Sequence, residues 1–348
     1  MEKVKVLVTG GAGYIGAHTV VELHESGYEA VIADNLSNSS EEVLDGIEKI
    51  TGVKPIFERV DCTDKVNFEK LFDKYPGIKY AIHFAAFKAV GESVAKPLLY
   101  YKNNIESLTN LIEIMTSRGG GSIVFSSSCT VYGQPAPEFL PVNEDAPLQP
   151  AQSPYGNTKQ ISEAILRDCT NAMPDNLKVI SLRYFNPVGA HPSAHIGELP
   201  IGVPQNLLPF VTQTAAGLRE ILSVWGDDYN TPDGSCIRDY IYVCDLAKAH
   251  VAALDRMTGR RGEMESSMEY YNLGTGKGLS VLEVIEIFKR ANGVELPYRI
   301  APRRPGDVEQ VWADPSKANL KLGWMADTPV EEIMRSAWRW EKKIRGIK

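Results

Sequence analysis

The stretch Val4-Lys5-Val6-Leu7-Val8-Thr9-Gly10-Gly11-Ala12-Gly13-Tyr14-Ile15-Gly16 decides the fold. A short apolar, β-branched run passes straight into a glycine turn, and a helical pattern follows near 15–26. Gly10, Gly13 and Gly16 are three apart, and Gly11, Gly13 and Gly16 also satisfy the form G-x-G-x-x-G. Missing side chains allow the tight turn and let backbone N–H groups at the helix N-terminus approach a pyrophosphate.

The context of the turn strengthens that reading. A second strand ends in an acid at Asp34, 18 residues past Gly16. Such a carboxylate accepts hydrogen bonds from a ribose 2′-OH and repels a 2′-phosphate. Asn35 follows, and no Arg stands at 35 or 36, so the pattern favours NAD over NADP.

Working outward, Ala30–Asp34, Pro55–Asp61, Tyr80–Ala86, Ser122–Ser128 and Lys178–Phe185 join Val4–Thr9 as predicted buried strands. Helical patterns lie between them near 40–51, 65–75, 97–118 and 155–172. Continuous apolar strands alternating with helices mean a parallel sheet covered on both faces, hence an α/β, doubly wound (Rossmann) fold. After Phe185 the rhythm breaks. Residues 186–239 are rich in Pro, Gly and polar residues, and only 205–217 reads as helix. Ser280 and Glu283 form a capping box before a helix over 280–292, and Thr328-Pro329-Val330-Glu331 is expected to open the last helix the same way. The expected organisation is a cofactor-binding domain over 1–185, with a return segment near 239–260, and a smaller α/β substrate domain over 186–348.

Composition narrows the function classes. The 348 residues are 43% hydrophobic and 23% charged, ordinary for a well-buried globular chain. A net charge of −7 argues against a nucleic-acid surface, which needs clustered Lys and Arg. Five cysteines, with no CxxC pair, fit a reduced setting and no disulfide scaffold. No basic leader with a long apolar core opens the chain and no membrane span is predicted, so a cytoplasmic protein is expected. No metal is expected either: His191 and His195 are four apart, but Pro192 and the glycines around them disfavour a rigid ligand pair.

The chemistry-bearing residues come next along the chain. Ser126-Ser127-Ser128 ends the fifth predicted strand, where open α/β sheets place their ligands. Tyr155-Gly156-Asn157-Thr158-Lys159 opens the following helix, so Tyr155 and Lys159 project from one face. A Tyr-x-x-x-Lys pair arises by chance in many helices. Its order here, after a dinucleotide turn and a strand-end serine run, singles it out. An ammonium and a nicotinium charge nearby would bring the phenol pKa toward neutrality and make tyrosinate a usable base, with Ser128 holding the substrate oxygen.

At this point the chain resembles the extended short-chain dehydrogenases/reductases and, within them, the UDP-glucose 4-epimerases. The resemblance runs through TGGAGYIG, DNLSNS at 34–39, HFAAFKAVGES at 83–93, SSSCTVYG at 126–133, SPYGNTK at 153–159, RYFNPVGAHPS at 183–193, RDYIYVCDLA at 238–247, YNLGTGKG at 271–278 and RRPGD at 303–307. It implies that Gly10, Gly13, Tyr14, Ile15 and Gly16 meet the cofactor pyrophosphate. Asp34, Asn35, Leu36, Ser37, Asn38 and Ser39 would surround the adenosine ribose, and Asp61 and Cys62 would flank adenine. Phe84, Ala85, Ala86, Lys88 and Asn103 would complete the cofactor site with Ser128, Tyr155 and Lys159, and Phe185 would lie near the nicotinamide. Asn186, Asn206, Leu207, Arg238, Arg304 and Asp307 would hold UDP, with Ser223 and Trp225 along the uracil and Val311 bordering the sugar.

The cycle so implied is an epimerisation at C4. Tyr155 removes the 4-OH proton while C4 passes hydride to NAD; the 4-keto sugar turns over and takes the hydride back on its other face. The dehydratases of the same fold carry an Asp-Glu pair just after the strand-end hydroxyl. Cys129-Thr130 stands there in this chain. The family commonly pairs its helices near 97–118 and 155–172 across a dimer, so a homodimer is expected. Valine at 311, where a tyrosine restricts the pocket to plain hexoses, leaves room for a 2-acetamido group.

Overall fold

The computed structural model describes residues 3–304 and 307–348. In the first half β1 (Lys5–Thr9), α1 (Tyr14–Glu25), β2 (Glu29–Asp34), α2 (Glu42–Thr51), β3 (Ile56–Arg59), α3 (Lys65–Lys74), β4 (Tyr80–His83), α4 (Val90–Ala95), α5 (Pro97–Ser117), β5 (Gly121–Ser126), α6 (Pro154–Ala172) and β6 (Leu177–Tyr184) alternate as expected. The second half adds β7 (Asn186–Val188), α7 (Leu207–Ala215), β8 (Leu222–Trp225), β9 (Ile237–Arg238), β10 (Tyr240–Tyr242), α8 (Val243–Met257) and β11 (Met268–Leu273). It ends with β12 (Leu279–Ser280), α9 (Val281–Asn292), β13 (Tyr298–Ala301), β14 (Gln310–Val311), α10 (Ser316–Leu322) and α11 (Val330–Arg345).

Among the described residues seven strands form one parallel sheet in the order β11-β6-β5-β4-β1-β2-β3. Strand side chains alternate between faces, and the core splits accordingly. Val6, Val8, Ala30, Ile32, Ile82, Val124, Ile180 and Leu182 pack with α1 and α8. Leu7, Val31, Ala33, Ala81, Ile123, Phe125 and Val179 pack with α3, α5 and α6. The middle strands β1, β2, β4 and β5 are thus buried on both faces, which is why their sequences are largely apolar. The sheet reverses direction of growth between β1 and β4, and their carboxyl ends open the crevice that holds the site.

Two expectations are corrected here. The strand pattern of the sequence ends at Phe185, but β11, far along the chain at Met268–Leu273, is the seventh strand, beside β6. Its Glu269 and Asn272 hide the pattern, and both are buried only because each is partnered: Glu269 by Arg256 at 2.7 and 3.0 Å, and Asn272 by the Tyr132 hydroxyl at 2.7 Å. The capping box Ser280/Glu283 forms on α9, but no equivalent forms on α11. Pro329 takes the N-cap position, the Thr328 N–H donates to Asp245, and Glu331 pairs with Arg290.

Beneath α6 lies a buried ion pair. Arg183 donates to Glu163 through Nε (3.0 Å) and Nη2 (2.8 Å), and Ser127 and Ser181 hydroxyls donate to the same carboxylate at 2.7 and 2.8 Å. Burying both charges is tolerable only with this saturation of partners, and removing one of them strands the other. Arg183→Met is expected to lower stability by about 3–5 kcal/mol, read as a fall in the urea midpoint; an unchanged midpoint would show that the pair contributes nothing.

Candidate active site

The glycine turn is closed by contacts that exclude side chains. A Cβ on Gly16 would stand 2.3 Å from the Gly10 carbonyl oxygen, and Gly10 itself has φ +70° and lies against the Ala85 backbone. Asp34 ties the turn to the loop after β2. One carboxylate oxygen accepts from the Ala12 N–H at 3.1 Å, and the other from the Leu36 N–H and Ser39 hydroxyl at 2.8 and 3.0 Å. Asp61 accepts from Thr63 and from the Asn35 amide at 3.0 Å. Burial works to raise the Asp61 pKa, and these hydrogen bonds outweigh it and hold it below the usual range.

These groups line a cavity of about 650 Å³ along the carboxyl edge of the sheet. Gly10, Gly13, Tyr14, Ile15, Gly16, Asp34, Asn35, Ser37, Asn38, Ser39, Asp61, Cys62, Phe84, Ala85, Ala86, Lys88, Asn103, Tyr155, Lys159 and Asn206 all face it. Leu36 does not; it packs on the hydrophobic core with φ +60°. Phe185 does not either. Strand alternation puts Tyr184 on the cavity, its hydroxyl 2.8 Å from Ser126 Oγ, and turns Phe185 into a cluster with Val131, Tyr132, Val311 and Ala313.

Ser153 caps α6 through the Gly156 N–H at 3.1 Å, and Pro154 occupies its first turn, so Tyr155 and Lys159 are presented at the helix start. Lys159 Nζ donates to the Ser126 carbonyl at 2.7 Å and lies 5.9 Å from the Tyr155 ring centre. Burial pulls the Lys159 pKa down to about 8 against the opposing charge of Glu163. Burial also raises the Tyr155 phenol above its ordinary value, with Tyr184 adding to the rise, while the Ser128 hydroxyl favours the charged form. Ser128 is buried in extended backbone just after β5. It stands beside the cavity lining, not in it. The expected lowering of the phenol pKa therefore does not arise from the chain's own groups.

The cavity has a second wall that sequence reading missed. The loop 195–205 and the end of α11 close over it through His195, Glu198, Leu199, Ile201, Trp340, Ile344 and Arg345. Glu198 Oε1 accepts from Asn206 Nδ2 at 2.6 Å and lies 3.7 Å from Lys88 Nζ. Burial raises its pKa, opposed by Lys88. These residues carry no local pattern; only their meeting identifies them.

The remaining expected substrate residues lie outside the cavity lining, on the small sheets, α7 and loops of the second half. Asn186 starts β7, which pairs with β10, and Leu207 starts α7. Ser223 and the exposed Trp225 lie on β8, beside β13. Arg238 holds backbone carbonyls of Ile237, Val308 and Glu309, while Asp239 is fully buried and accepts from Thr275, Gly276 and Ala313 backbone N–H groups. The two neighbours therefore do not form the surface ion pair their adjacency allows. Arg304 makes a bidentate pair with Asp307 at 3.1 and 2.7 Å, and Arg303 pairs with Asp228 and covers the Tyr229 ring. Pro305 and Gly306 of the RRPGD stretch fall outside the described residues. Val311 pairs with Arg238 across β14 and β9, its side chain buried. No metal-binding cluster occurs among the described residues, and no helix there is long and apolar enough to cross a membrane.

Comparison with known proteins places this geometry. A family model described as GDP-mannose 4,6 dehydratase matches residues 7–337. A UDP-glucose 4-epimerase of Bacillus subtilis is 51% identical over 99% of this chain and 98% of its own length, and one of Dictyostelium discoideum is 50% identical over 97% and 95%. The crystal structure of UDP-glucose 4-epimerase from Bifidobacterium longum, in complex with NAD+ and UDP, superposes with a TM-score of 0.93 at 45% identity, covering 99% of this chain and 100% of that one. The UDP-Glc/GlcNAc 4-epimerase of Campylobacter jejuni superposes with a TM-score of 0.81 at 38% identity, covering 97% and 99%.

The buried histidines give the fold a pH dependence. His83 Nδ1 lies 2.8 Å from Thr9 Oγ1 under the site, and burial, then the Lys159 charge, pull its pKa down to about 3. His18 is lowered to about 3 and His250 to about 4, both chiefly by burial. An unfolded chain protonates these rings near pH ~6.5. Between that pH and about 3 the unfolded state binds protons that the folded state refuses, so their contribution is full above ~6.5 and is lost as pH falls. Between pH ~7.5 and pH ~5 the urea midpoint of the wild type is expected to shift downward relative to that of His83→Gln; equal changes in the two proteins would show that burial does not lower the His83 pKa.

Proposed function

Because the chain belongs to the family described as GDP-mannose 4,6 dehydratase, the extended short-chain dehydrogenases/reductases, and stands among its UDP-glucose 4-epimerases, we propose that it is an NAD-dependent isomerase interconverting UDP-galactose and UDP-glucose. The observation that carries the reading is the Tyr155–Lys159 pair on the cavity with Ser128 beside it and Cys129-Thr130, not an acid pair, next in the chain. A dehydratase needs a group to protonate the leaving hydroxyl, and this site offers none at that place.

The residues of the cavity fit the cofactor. The α1 N-terminus and its glycine turn suit a pyrophosphate, Asp34 suits a ribose 2′-OH, Asp61 and Cys62 flank the space for adenine, and Lys88 and Lys159 supply cations. NAD, when bound, would supply a reversible hydride acceptor and a positive charge beside Tyr155 in addition to that of Lys159. Tyr155 serves as base for the sugar 4-OH proton and gives it back to the ketone oxygen. Ser128 holds that oxygen, and Lys159, anchored on the Ser126 carbonyl, keeps the proton path beside the tyrosine. Asn186, Asn206, Leu207, Arg238, Arg304 and Asp307 hold UDP, with Ser223 and Trp225 along the uracil. For this, Arg304 and Asp307 exchange their mutual pair for ligand contacts.

Residues 1–185, with the return through 239–260, serve the cofactor, and 186–348 the sugar nucleotide. The protein works in the cytoplasm as a homodimer joined through α5 and α6, a reading supported by exposed Leu98 and Leu99 at the start of α5. The decisive assay is purified protein with UDP-galactose and no added NAD, in which UDP-glucose must form without net NADH release. Tyr155→Phe keeps the ring and removes the base, so turnover is expected to fall by ~10²–10⁴-fold while NAD stays bound. Wild-type turnover in that variant would sink the assignment.

A second activity is favoured by Val311. Its small side chain lies in the apolar cluster with Phe185 and Tyr132, flanking Arg238, and a relative of similar fold is named for both UDP-Glc and GlcNAc. One misfit group shifts specificity by ~1–3 kcal/mol, so dual activity is expected, with UDP-glucose/galactose as the main pair. Measurable UDP-GlcNAc/GalNAc interconversion should vanish in Val311→Tyr while hexose turnover persists. Absence of acetamido-sugar turnover in the wild type would refute it.

A further inference from the structure

The small parallel sheet of β8 and β13 has two unlike faces. In its register Leu222 lies beside Tyr298, Ser223 beside Arg299, Val224 beside Ile300 and Trp225 beside Ala301. Leu222 and Val224 are buried in the main core, so the alternation of side chains turns Ser223 and Trp225, with their neighbours Arg299 and Ala301, to the outer face. Arg299 Nε donates to Ser223 Oγ at 3.4 Å, which shows that the two share that face.

The outer face carries the parts of a base-binding surface. Trp225 keeps 45% of its area exposed, and Ala301 beside it is too small to cover the ring. An aromatic plane holds a nucleobase by stacking whatever the base, so a choice between bases has to come from groups at its edge. Arg299 is exposed, and among the described residues its guanidinium has no partner besides Ser223. A guanidinium carries N–H donors and no acceptor, whereas a serine hydroxyl both donates and accepts. Beside the indole there is thus a donor that cannot change its role and a hydroxyl that can. Three residues past Ala301 comes Arg304, one of the proposed UDP ligands.

We propose that Arg299 selects the base of the sugar nucleotide: with uracil stacked on Trp225, a guanidinium N–H donates to O4 while Ser223 Oγ accepts from N3–H. The proposal rests on the reading of this protein as a UDP-sugar enzyme. Along that edge uracil presents an acceptor next to a donor. Cytosine presents the reverse, an amino group at C4 and an unprotonated N3. The Ser223 hydroxyl rotates to serve either ring. Arg299 cannot, so with cytosine two donors face each other and the amino group is left unpaired. Discrimination therefore falls to the arginine.

The probes are UDP and CDP, titrated calorimetrically into the NAD-loaded protein. The wild type is expected to bind UDP about tenfold more tightly than CDP. Arg299→Ala is expected to weaken UDP about tenfold and CDP less than about twofold, which removes the preference. Arg299→Gln, whose amide can turn either its oxygen or its nitrogen to the base, is expected to bind CDP several-fold more tightly than the wild type does. If Arg299 only held the sheet together, its loss would weaken both nucleotides equally and leave the preference as it was. A wild type that does not favour UDP over CDP, or an Arg299→Ala variant that keeps the wild-type preference, overturns the proposal. A wild type that binds neither nucleotide refutes the functional reading instead.

Discussion

The bonds from Arg183 to Glu163 hold the working parts of this protein in register. Glu163 lies one helical turn beyond Lys159 on α6, and its carboxylate gathers Ser127 from the end of β5 and Ser181 and Arg183 from β6. Arg183 passes the connection on to the Tyr132 hydroxyl at 3.0 Å, and Tyr132 to Asn272 on β11. One carboxylate thereby fixes the helix that carries Tyr155 against the strand that presents Ser128. A charge pair this deep contributes little net stability over an apolar packing of equal volume. Its effect is geometric: only one placement of α6 satisfies every partner.

The electrostatics of the site follow from burial of that kind. Lys159 sits in apolar surroundings with one carbonyl as partner, which lowers its pKa to about 8, and Glu163 supplies the opposing charge that keeps the ammonium from falling further. Tyr155 is helped toward the charged form by the Ser128 hydroxyl, but burial, with Tyr184 adding to it, outweighs that help and pushes its phenol toward the neutral form. For this phenol to ionise readily, a bound positive charge must offset the burial. In the second half of the chain the same arrangement recurs. Arg304 waits on Asp307, and Arg238 on three carbonyls. An anionic ligand entering there replaces existing partners and does not have to neutralise bare cations.

Much of this was legible in the chain. The glycine turn, Asp34 and the Tyr155/Lys159 spacing are local: each depends on residues a few positions apart, where missing side chains, strand ends and one helical turn dictate what meets what. Strands β1, β2, β4 and β5 were readable for the same reason, since burial on both faces writes a largely apolar run. The seventh was not, because Glu269 and Asn272 become tolerable in a strand only through Arg256 and Tyr132, residues distant in sequence. Thr328 likewise has the local form of a helix cap, but α11 starts one residue further on with Pro329 at the N-cap, while the Thr328 N–H donates to Asp245.

The sequence by itself determined the fold class, the glycine turn and the helix that carries Tyr155 and Lys159, because short-range sterics and periodicity suffice for those. The tertiary structure decided which side of β6 faces the cavity, placing Tyr184 there and Phe185 in the cluster beneath it. It also brought Trp340 and Arg345 from the last helix, and Glu198 from a loop, to the wall opposite the glycine turn. Nothing in the neighbourhood of those residues marks them. Their role exists only as a distance between parts of the chain more than a hundred residues apart, which packing of the whole second half against the sheet sets.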